Sequence, residues 1–164
     1  MRKLSAFSFW LILLLGLCVV AHGQDQVLRV IAVDGSEHPI SAQTWAALPR
    51  VSVQATDHDG KEVTFEGVAA REVLKLANAP FGKDLHGKNL ALYVVAEAAD
   101  GYRAVYALTE FDADFTDRII LIADRRNGQA LAEKEGPLRI VVPAEKRQAR
   151  WLRELLAISV HRAP

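Results

Sequence analysis

The chain has 164 residues, of which 51% are hydrophobic and 24% charged, and this is the size and composition of one globular domain. Its 20 basic and 20 acidic side chains cancel, which excludes a general nucleic-acid binder with its usual positive excess. A domain of this length buries roughly two-thirds of the surface that its unfolded chain exposes, so it can build a core without disulfides or metals.

The N-terminus has the pattern of an export signal. Arg2 and Lys3 precede an apolar run over residues 6–20, and residues 21–23 follow at the usual cleavage spacing. The run is short for a membrane span. We therefore predict a signal peptide over residues 1–23, with an uncleaved anchor as the alternative, and a single domain over residues 24–164.

Removal of the predicted leader would also remove the cysteine of the chain. Cys18 is the only cysteine of the sequence and lies inside the predicted leader, where the large Leu17 disfavours a lipid-attachment site. The mature chain then has no thiol nucleophile and no thiolate metal ligand. We expect a periplasmic or secreted protein, without stable membrane insertion after cleavage.

The first half of the mature chain alternates between strand and helix signals. Ser41 is placed to cap a short helix that ends at Ala47, and the apolar spacing of residues 68–78 predicts the longest helix. An Asp-Gly turn over residues 57–60 is typical of a plain turn, because the remainder of a calcium-binding loop is missing. Strands are predicted over residues 27–33, around Val51 and Val53, and over residues 63–66.

The second half is dominated by strands. Residues 90–95 and 104–108 flank Asp100-Gly101, which predicts a β-hairpin. Further strands are predicted over residues 119–123, 138–142 and 157–161, and a broad turn over residues 124–128.

No catalytic motif stands out along the chain. The sequence lacks a Gly-x-Ser-x-Gly elbow and a glycine-rich phosphate loop, and its histidines show no metal-ligand spacing. We therefore assign no catalytic and no metal-binding residue.

The arginines are the remaining candidates for ligand-binding residues. Arg139 lies within an apolar strand, where a charge needs a partner or a route to solvent, so both a pocket role and a structural ion pair are open. Arg150 lies in a basic cluster beside Trp151. Arginines that converge on a pocket bind phosphate or carboxylate groups through paired hydrogen bonds.

Several fragments, in their joint order, resemble the oxidoreductase molybdopterin-binding domain of the sulfite oxidase superfamily. They are Asp100-Gly101-Tyr102 before an apolar strand, residues 121–124, Asn127-Gly128, residues 136–143, Arg150-Trp151, residues 65–68, and the opening strand with residues 45–49. The resemblance implies an α+β fold, with β-rich mixed sheets and short helices. It also implies, in full-size members, a molybdenum–pterin cofactor whose metal is ligated by a cysteine.

The sequence departs from that family at the metal ligand. The resemblance places the cysteine just before the segment at residues 65–68, and here that region, residues 53–58, contains none. Sulfur ligation suits a soft metal centre, and neither Gln54 nor His58 is an equivalent donor. The chain is also much shorter than the catalytic enzymes.

Three hypotheses follow. The first is an exported, non-catalytic member of this fold that binds a small anionic, pterin-like ligand or a periplasmic or membrane partner protein. The alternative is an oxidoreductase that binds molybdopterin without a cysteine. The third is an accessory domain without a ligand, which a flat surface beside Tyr102 would favour.

The resemblance and the arginine pattern nominate five ligand-binding residues. They are Asp100, Gly101, Tyr102, Arg139 and Arg150. Each has a structural explanation too: Asp100 as a turn cap, Gly101 as a flexible turn position, and Tyr102 as a core side chain.

Overall fold

A computed structural model describes residues 26–143 and 145–164. The predicted signal peptide, residues 1–23, lies outside the described residues. The ten strands, labelled β1 to β10, are Gln26–Ile31, Glu37–Ser41, Arg50–Thr56, Glu62–Ala69, Leu92–Ala98, Arg103–Ala107, Leu121–Arg126, Gln129–Ala130, Arg139–Val141 and Leu155–Arg162. The two α-helices are α1, Ala42–Ala47, and α2, Ala70–Leu76, and four short 3₁₀ turns are Gly82–Asp84, Gly87–Ala91, Leu108–Phe111 and Gln148–Arg150.

The strands form two sheets. The first has the order β2-β1-β10-β5-β6, in which β1 and β10 run parallel and every other neighbouring pair is antiparallel. The second has the order β3-β4-β7-β8, and β9 also pairs with β7. This confirms the prediction of a β-rich α+β fold with mixed sheets and short helices.

Local sequence signals place several elements as expected. The Ser41 hydroxyl accepts a hydrogen bond from the Thr44 N–H at 3.1 Å, which caps α1. The predicted hairpin is β5 and β6, with the turn at Asp100-Gly101. Strand β2 was not predicted, because Pro39 and the polar residues around it have low strand propensity. It forms as an edge strand paired with β1.

Two predicted boundaries were wrong for one physical reason. The helix predicted over residues 68–78 begins only at Ala70, because β4 continues to Ala69 and pairs with β7. The turn predicted over residues 124–128 shrinks to Asn127-Gly128, with φ of 51° and 78°, because β7 continues to Arg126. In both places pairing with a neighbouring strand overrides local propensity.

Both sheets share one apolar core. Alternate side chains point inward along the strands, as in β5, where Leu92, Val94 and Ala96 are buried between partly exposed neighbours. The core cluster includes Val30 from the first sheet and Phe65 from the second. None of the helices in the described part of the chain is long and apolar enough to span a membrane.

Gly67 permits the closest approach between two strands of the second sheet. A Cβ atom built on Gly67 would lie 2.0 Å from the carbonyl oxygen of Ile122 on β7. The register between β4 and β7 shifts at this point, between Glu66 and Gly67. Gly67 is therefore required by packing, whereas Gly101 is required only by its positive φ of 85° and has open space around it.

We predict that Gly67→Ala destabilises the domain far more than Gly101→Ala does. The first substitution forces backbone apart inside a sheet and should cost about 3 kcal/mol of unfolding free energy or more. The second strains only an exposed turn and should cost about 1 kcal/mol. Urea unfolding followed by far-UV circular dichroism measures both. Equal losses for the two variants would contradict the assigned role of Gly67.

Candidate functional site

The turn between β5 and β6 is built by its own residues. The Asp100 carboxylate accepts a hydrogen bond from the Tyr102 N–H at 2.9 Å, and the Gly101 N–H donates to the Ala98 carbonyl at 3.0 Å. Gly101 adopts the positive φ that the turn demands. The backbone roles that the sequence suggested for Asp100 and Gly101 are thus present in the structure.

Tyr102 presents a face to solvent. Its side chain is not in the core, because 51% of the residue is exposed. Its hydroxyl donates to the Ala149 carbonyl at 2.8 Å, which fixes the ring against the segment that leads into β10. The core-packing explanation for Tyr102 was therefore wrong, and the ring is both held in place and accessible.

A cleft of about 420 Å³ lies beside Tyr102. Its walls come from three parts of the chain that are distant in sequence: the β5–β6 turn, the turn that contains Lys134, and residues 148–154. We call it the Tyr102 cleft, and its lining residues are Ala98, Asp100, Tyr102, Lys134, Gln148, Ala149, Trp151, Leu152, Arg153 and Glu154.

Charges of both signs line the Tyr102 cleft. Lys134 and Arg153 are exposed, and neither lies within ion-pair distance of a carboxylate among the described residues. Asp100 and Glu154 provide carboxylates on the same walls. Glu154 has φ of 47°, an unusual conformation for a residue with a side chain. The cleft can therefore offer cations, hydrogen-bond acceptors and an aromatic face to one small molecule.

Arg150 is directed away from this cleft. Its Nη1 donates to Glu110 at 3.1 Å and to the Val105 carbonyl at 3.2 Å, and its Nη2 donates to Glu110 at 3.0 Å and also to Glu145. Its Nε donates to Glu145 at 2.9 Å. All five N–H donors of the guanidinium are thus engaged.

The surroundings of Arg150 also favour its charged state. Hydrogen bonds to Glu110 and Glu145 raise the pKa of Arg150 above its ordinary value, against the effect of burial. The guanidinium lies 4.7 Å from the centre of the Tyr106 ring. Burial raises the pKa of the Tyr106 hydroxyl, which donates to the Arg150 carbonyl. Arg150 thereby fastens residues 148–150 to the edge of β6.

Arg139 is buried inside the domain. Only 1% of the residue is exposed, and its Nη1 lies 3.2 Å from a Glu135 carboxylate oxygen. Its guanidinium lies 5.0 Å from the centre of the Phe65 ring and 5.8 Å from that of Trp151. Burial lowers the pKa of Arg139, and the charge of Glu135 opposes this effect. Of the two roles left open by the sequence, the structure shows the ion pair.

Arg139 belongs to a larger group that we call the buried charge network: Asp57, Arg126, Glu135 and Arg139. Arg126 lies 2.5 Å from the fully buried carboxylate of Asp57 and 3.7 Å from that of Glu135. Burial opposes ionisation of Asp57, but hydrogen bonds from His58 and the charge of Arg126 hold the pKa of Asp57 below its ordinary value. The two acids and two arginines neutralise each other.

The structure brings together only part of the predicted site. Asp100 and Tyr102 line one wall of the Tyr102 cleft, with Gly101 between them in the turn, whereas Arg139 and Arg150 are bound to internal carboxylates. That these two arginines bind a ligand stays a prediction, since a ligand would have to replace Glu135 or Glu110 as their partner.

Lys134 and Arg153 were not predicted as site residues. The sequence around Arg153 is typical of a solvated surface charge. No local pattern indicates that Lys134 approaches the β5–β6 hairpin, which lies more than 30 residues earlier in the chain. Among the described residues, no group of three or more His, Cys, Asp or Glu side chains is arranged to hold a metal ion.

Comparisons with known proteins agree on the fold. The family model described as the oxidoreductase molybdopterin-binding domain matches residues 29–163. The chain is similar in structure to the sulfane dehydrogenase SoxCD from Paracoccus pantotrophus, with a TM-score of 0.62 and 16% identity. That match covers 84% of this chain but only 38% of the SoxCD chain. A search of curated proteins gives no match.

We predict that Glu135→Gln destabilises the domain by about 3 kcal/mol, because it leaves the buried Arg139 without a counter-charge. The matched control is Glu72→Gln, which removes an exposed ion pair with Lys75 on α2 and should cost at most about 0.5 kcal/mol. Denaturant titration measures the two losses. A Glu135→Gln variant as stable as the control would contradict the structural role of the network.

Proposed function

The chain belongs to the oxidoreductase molybdopterin-binding domain family, and from that premise we propose that it is a non-catalytic, exported binding domain. Its ligand is a small organic anion with a flat, pterin-like ring, which binds in the Tyr102 cleft. The observation that carries this proposal is the contrast between two sets of cations. Arg139 and Arg150 are neutralised internally, whereas Lys134 and Arg153 line an open cleft without partners among the described residues.

The residues present do not fit a cysteine-ligated molybdenum centre. In the segment where the family resemblance places the cysteine, Val53 and Ala55 point into the apolar core, and Asp57 is the one buried polar side chain. Its carboxylate is a hard oxygen donor that already binds Arg126. A soft metal centre requires sulfur donors, and the only cysteine of the sequence, Cys18, lies outside the domain.

The arginines that would suit the phosphate of a pterin cofactor are occupied. A phosphate competing for Arg150 would have to displace two carboxylates and a backbone carbonyl from a saturated guanidinium. A phosphate at Arg139 would have to enter the core, because only 1% of that residue is exposed and its guanidinium packs against the Phe65 and Trp151 rings. These contacts support the non-catalytic proposal.

The Tyr102 cleft provides what a flat organic anion needs. The Tyr102 ring is held by its hydroxyl and can stack on a planar heterocycle. Lys134 and Arg153 can pair with a carboxylate or phosphate group, and the carboxylates of Asp100 and Glu154 can accept hydrogen bonds from ring amino groups. The presence of a cleft also favours this proposal over the hypothesis of an accessory domain without a ligand, because that hypothesis expects a flat surface beside Tyr102.

The second candidate is an oxidoreductase that holds molybdopterin without a cysteine. The family membership and the structural likeness to SoxCD favour it. The chain spans 38% of the SoxCD chain, so the activity of the longer protein is carried over only as a proposal. In this candidate Arg139 and Arg150 exchange their carboxylates for the cofactor phosphate.

The proposed location and partners rest on the predicted export signal. We propose that the domain functions in the periplasm or outside the cell, where it meets a small anion or a periplasmic or membrane-bound partner protein. Its balanced charge gives no basis for a nucleic-acid partner.

We predict that the purified protein binds pterin-6-carboxylate, a flat, fluorescent anion, and contains no stoichiometric molybdenum. Tyr102→Ala should weaken binding about tenfold through lost stacking, and Lys134→Gln or Arg153→Gln about fivefold each through lost ion pairs. Fluorescence titration measures affinity, and elemental analysis measures molybdenum.

Lys61→Gln is the matched control, since it removes an exposed cation outside the cleft and should leave affinity unchanged. One molybdenum per chain in protein from its native cells would overturn the non-catalytic proposal in favour of the second candidate. Binding that Tyr102→Ala and the two cation variants leave unchanged would remove the Tyr102 cleft as the site.

A further inference from the structure

Strand β3 forms an end of the second sheet and pairs only with β4 among the described strands. It is seven residues long, Arg50–Thr56, and its inward side chains are anchored in the core. A strand at a sheet edge presents unpaired backbone N–H and C=O groups along its outer side, which form a template for another strand.

Hydrogen bonds of neighbouring residues show which groups of β3 face that edge. The Thr64 N–H and carbonyl both bond to Asn127, at 3.0 and 2.8 Å, so Thr64 is turned away from β3. Gln54, opposite Thr64, is therefore in a non-hydrogen-bonded pair, and its backbone groups point to the free edge. By the alternation along a strand, those of Ser52 do so too.

A second observation agrees with this assignment. The Gln148 side chain donates to the Thr56 carbonyl at 2.7 Å, from outside the sheet. Thr56 is two residues from Gln54 and so has the same orientation. No described residue outside the β3–β4 ladder bonds to the backbone of Ser52 or Gln54.

The other long edge of the domain is covered. On β6, the Val105 carbonyl accepts a hydrogen bond from Arg150, and the Tyr106 hydroxyl donates to the Arg150 carbonyl, so residues 148–150 lie across that edge. Strand β2 carries Pro39, which lacks a donor, and β8 has only two residues. Strand β3 therefore differs from β2, β6 and β8 in being both long and open at its centre.

A groove with apolar walls runs beside the open part of β3. Its volume is about 520 Å³, and its lining residues are Val53, Gln54, Asp117, Arg118, Ile119 and Pro143. Ile119 is 42% exposed, although it is a large apolar residue. A strand added to β3 would direct every second side chain into this groove and the others to solvent.

The charges around the groove indicate the chemistry of the added strand. Arg118 borders it and has a single ion-pair contact within the described chain, to Glu110 at 3.8 Å. Lys146 and Arg147 are exposed next to Gln148, at the Thr56 end of the edge. Against these three cations stand two acids: Asp117 in the groove, and Glu62 at the Thr56 end, whose carboxylate accepts a hydrogen bond from the Thr56 hydroxyl. The surface therefore favours a segment that carries a carboxylate.

We propose that the free edge of β3 is a docking surface for an extended, acidic segment of a partner protein, which binds as an added strand. Backbone hydrogen bonds to Ser52 and Gln54 give the affinity. Alternating apolar side chains fill the groove beside Val53 and Ile119, and a carboxylate of the segment pairs with the cations around the groove. This surface and the Tyr102 cleft border on each other at Gln148, but Ser52, Gln54, Val53 and Ile119, which would contact the added strand, do not line the cleft.

The test uses the full domain and an acetylated, amidated peptide with the sequence Glu-Val-Thr-Val-Thr-Val. We expect the Gln54 amide hydrogen to exchange rapidly in the unbound domain and at least about tenfold more slowly with saturating peptide. Replacing the peptide glutamate by glutamine should weaken binding about fivefold. Amide exchange and chemical shifts measured by NMR report both effects.

Two substitutions of Gln54 distinguish the contribution of its backbone N–H to peptide binding from that of its side chain. Gln54→Pro removes the outward N–H and should abolish peptide binding, whereas Gln54→Ala keeps it and should change affinity by less than about twofold. Should Gln54→Pro fail to fold, N-methylation of the peptide valines removes the same type of hydrogen bond from the other side and should abolish binding as well. Lys134→Gln removes a cation of the Tyr102 cleft and touches no residue of the β3 edge, so it should not alter peptide affinity, which separates this proposal from that of the cleft.

Three results would overturn the docking surface. One is an unchanged Gln54 exchange rate at millimolar peptide. Another is equal binding by Gln54→Pro and Gln54→Ala. The third is protection of Gln54 without peptide that disappears on dilution, together with a dimer in sedimentation, because the edge would then be occupied by a second copy of this chain.

Discussion

The fold depends on the neutralisation of charge in its interior. Arg139 and Asp57 are among the most deeply buried polar side chains of the described domain, and each is stable there only because an opposite charge lies beside it. Arg126 and Glu135 complete the set and link the end of β3 to β7, β9 and the turn that precedes β9. Phe65 and Trp151 enclose the Arg139 guanidinium, so the network is also part of the apolar core.

This neutralisation is the observation that favours the proposal of a non-catalytic domain over that of an enzyme which holds molybdopterin. The cations that the sequence nominated for an anionic cofactor are partners of internal acids, and the segment expected to supply a sulfur ligand supplies a buried carboxylate. Among the described residues, Lys134 and Arg153 remain available in the Tyr102 cleft, and Lys146 and Arg147 are exposed near the Thr56 end of β3. A domain with this distribution can bind an anion or an acidic segment at its surface while its core stays complete.

The features that could be predicted from the sequence are those determined by residues close together in the chain. The Ser41 cap, the Asp100-Gly101 turn and the alternating strands depend on neighbouring residues, and the family resemblance supplied the fold class. Strand β2 and the true length of β4 depend on pairing with distant strands, so residue propensities could not locate them. The partners of Arg150 were undetermined for the same reason, since Glu110 is 40 residues from Arg150. Glu135 is only four residues before Arg139, but no local pattern indicates that the two side chains pair inside the domain. Only the structure shows which carboxylates neutralise these arginines and which cations are left at the surface.

The most direct test of this account is the thermal stability of the domain with and without access to the family cofactor. The Tyr102→Ala variant, in which pterin binding at the surface cleft is weakened, is produced in two otherwise identical hosts, one of which cannot synthesise molybdopterin. Its unfolding midpoint is measured by differential scanning calorimetry. A core neutralised by its own residues predicts midpoints that agree within about 1 °C, because a group that does not bind the native state cannot stabilise it. A midpoint several degrees higher in the molybdopterin-producing host would contradict the account.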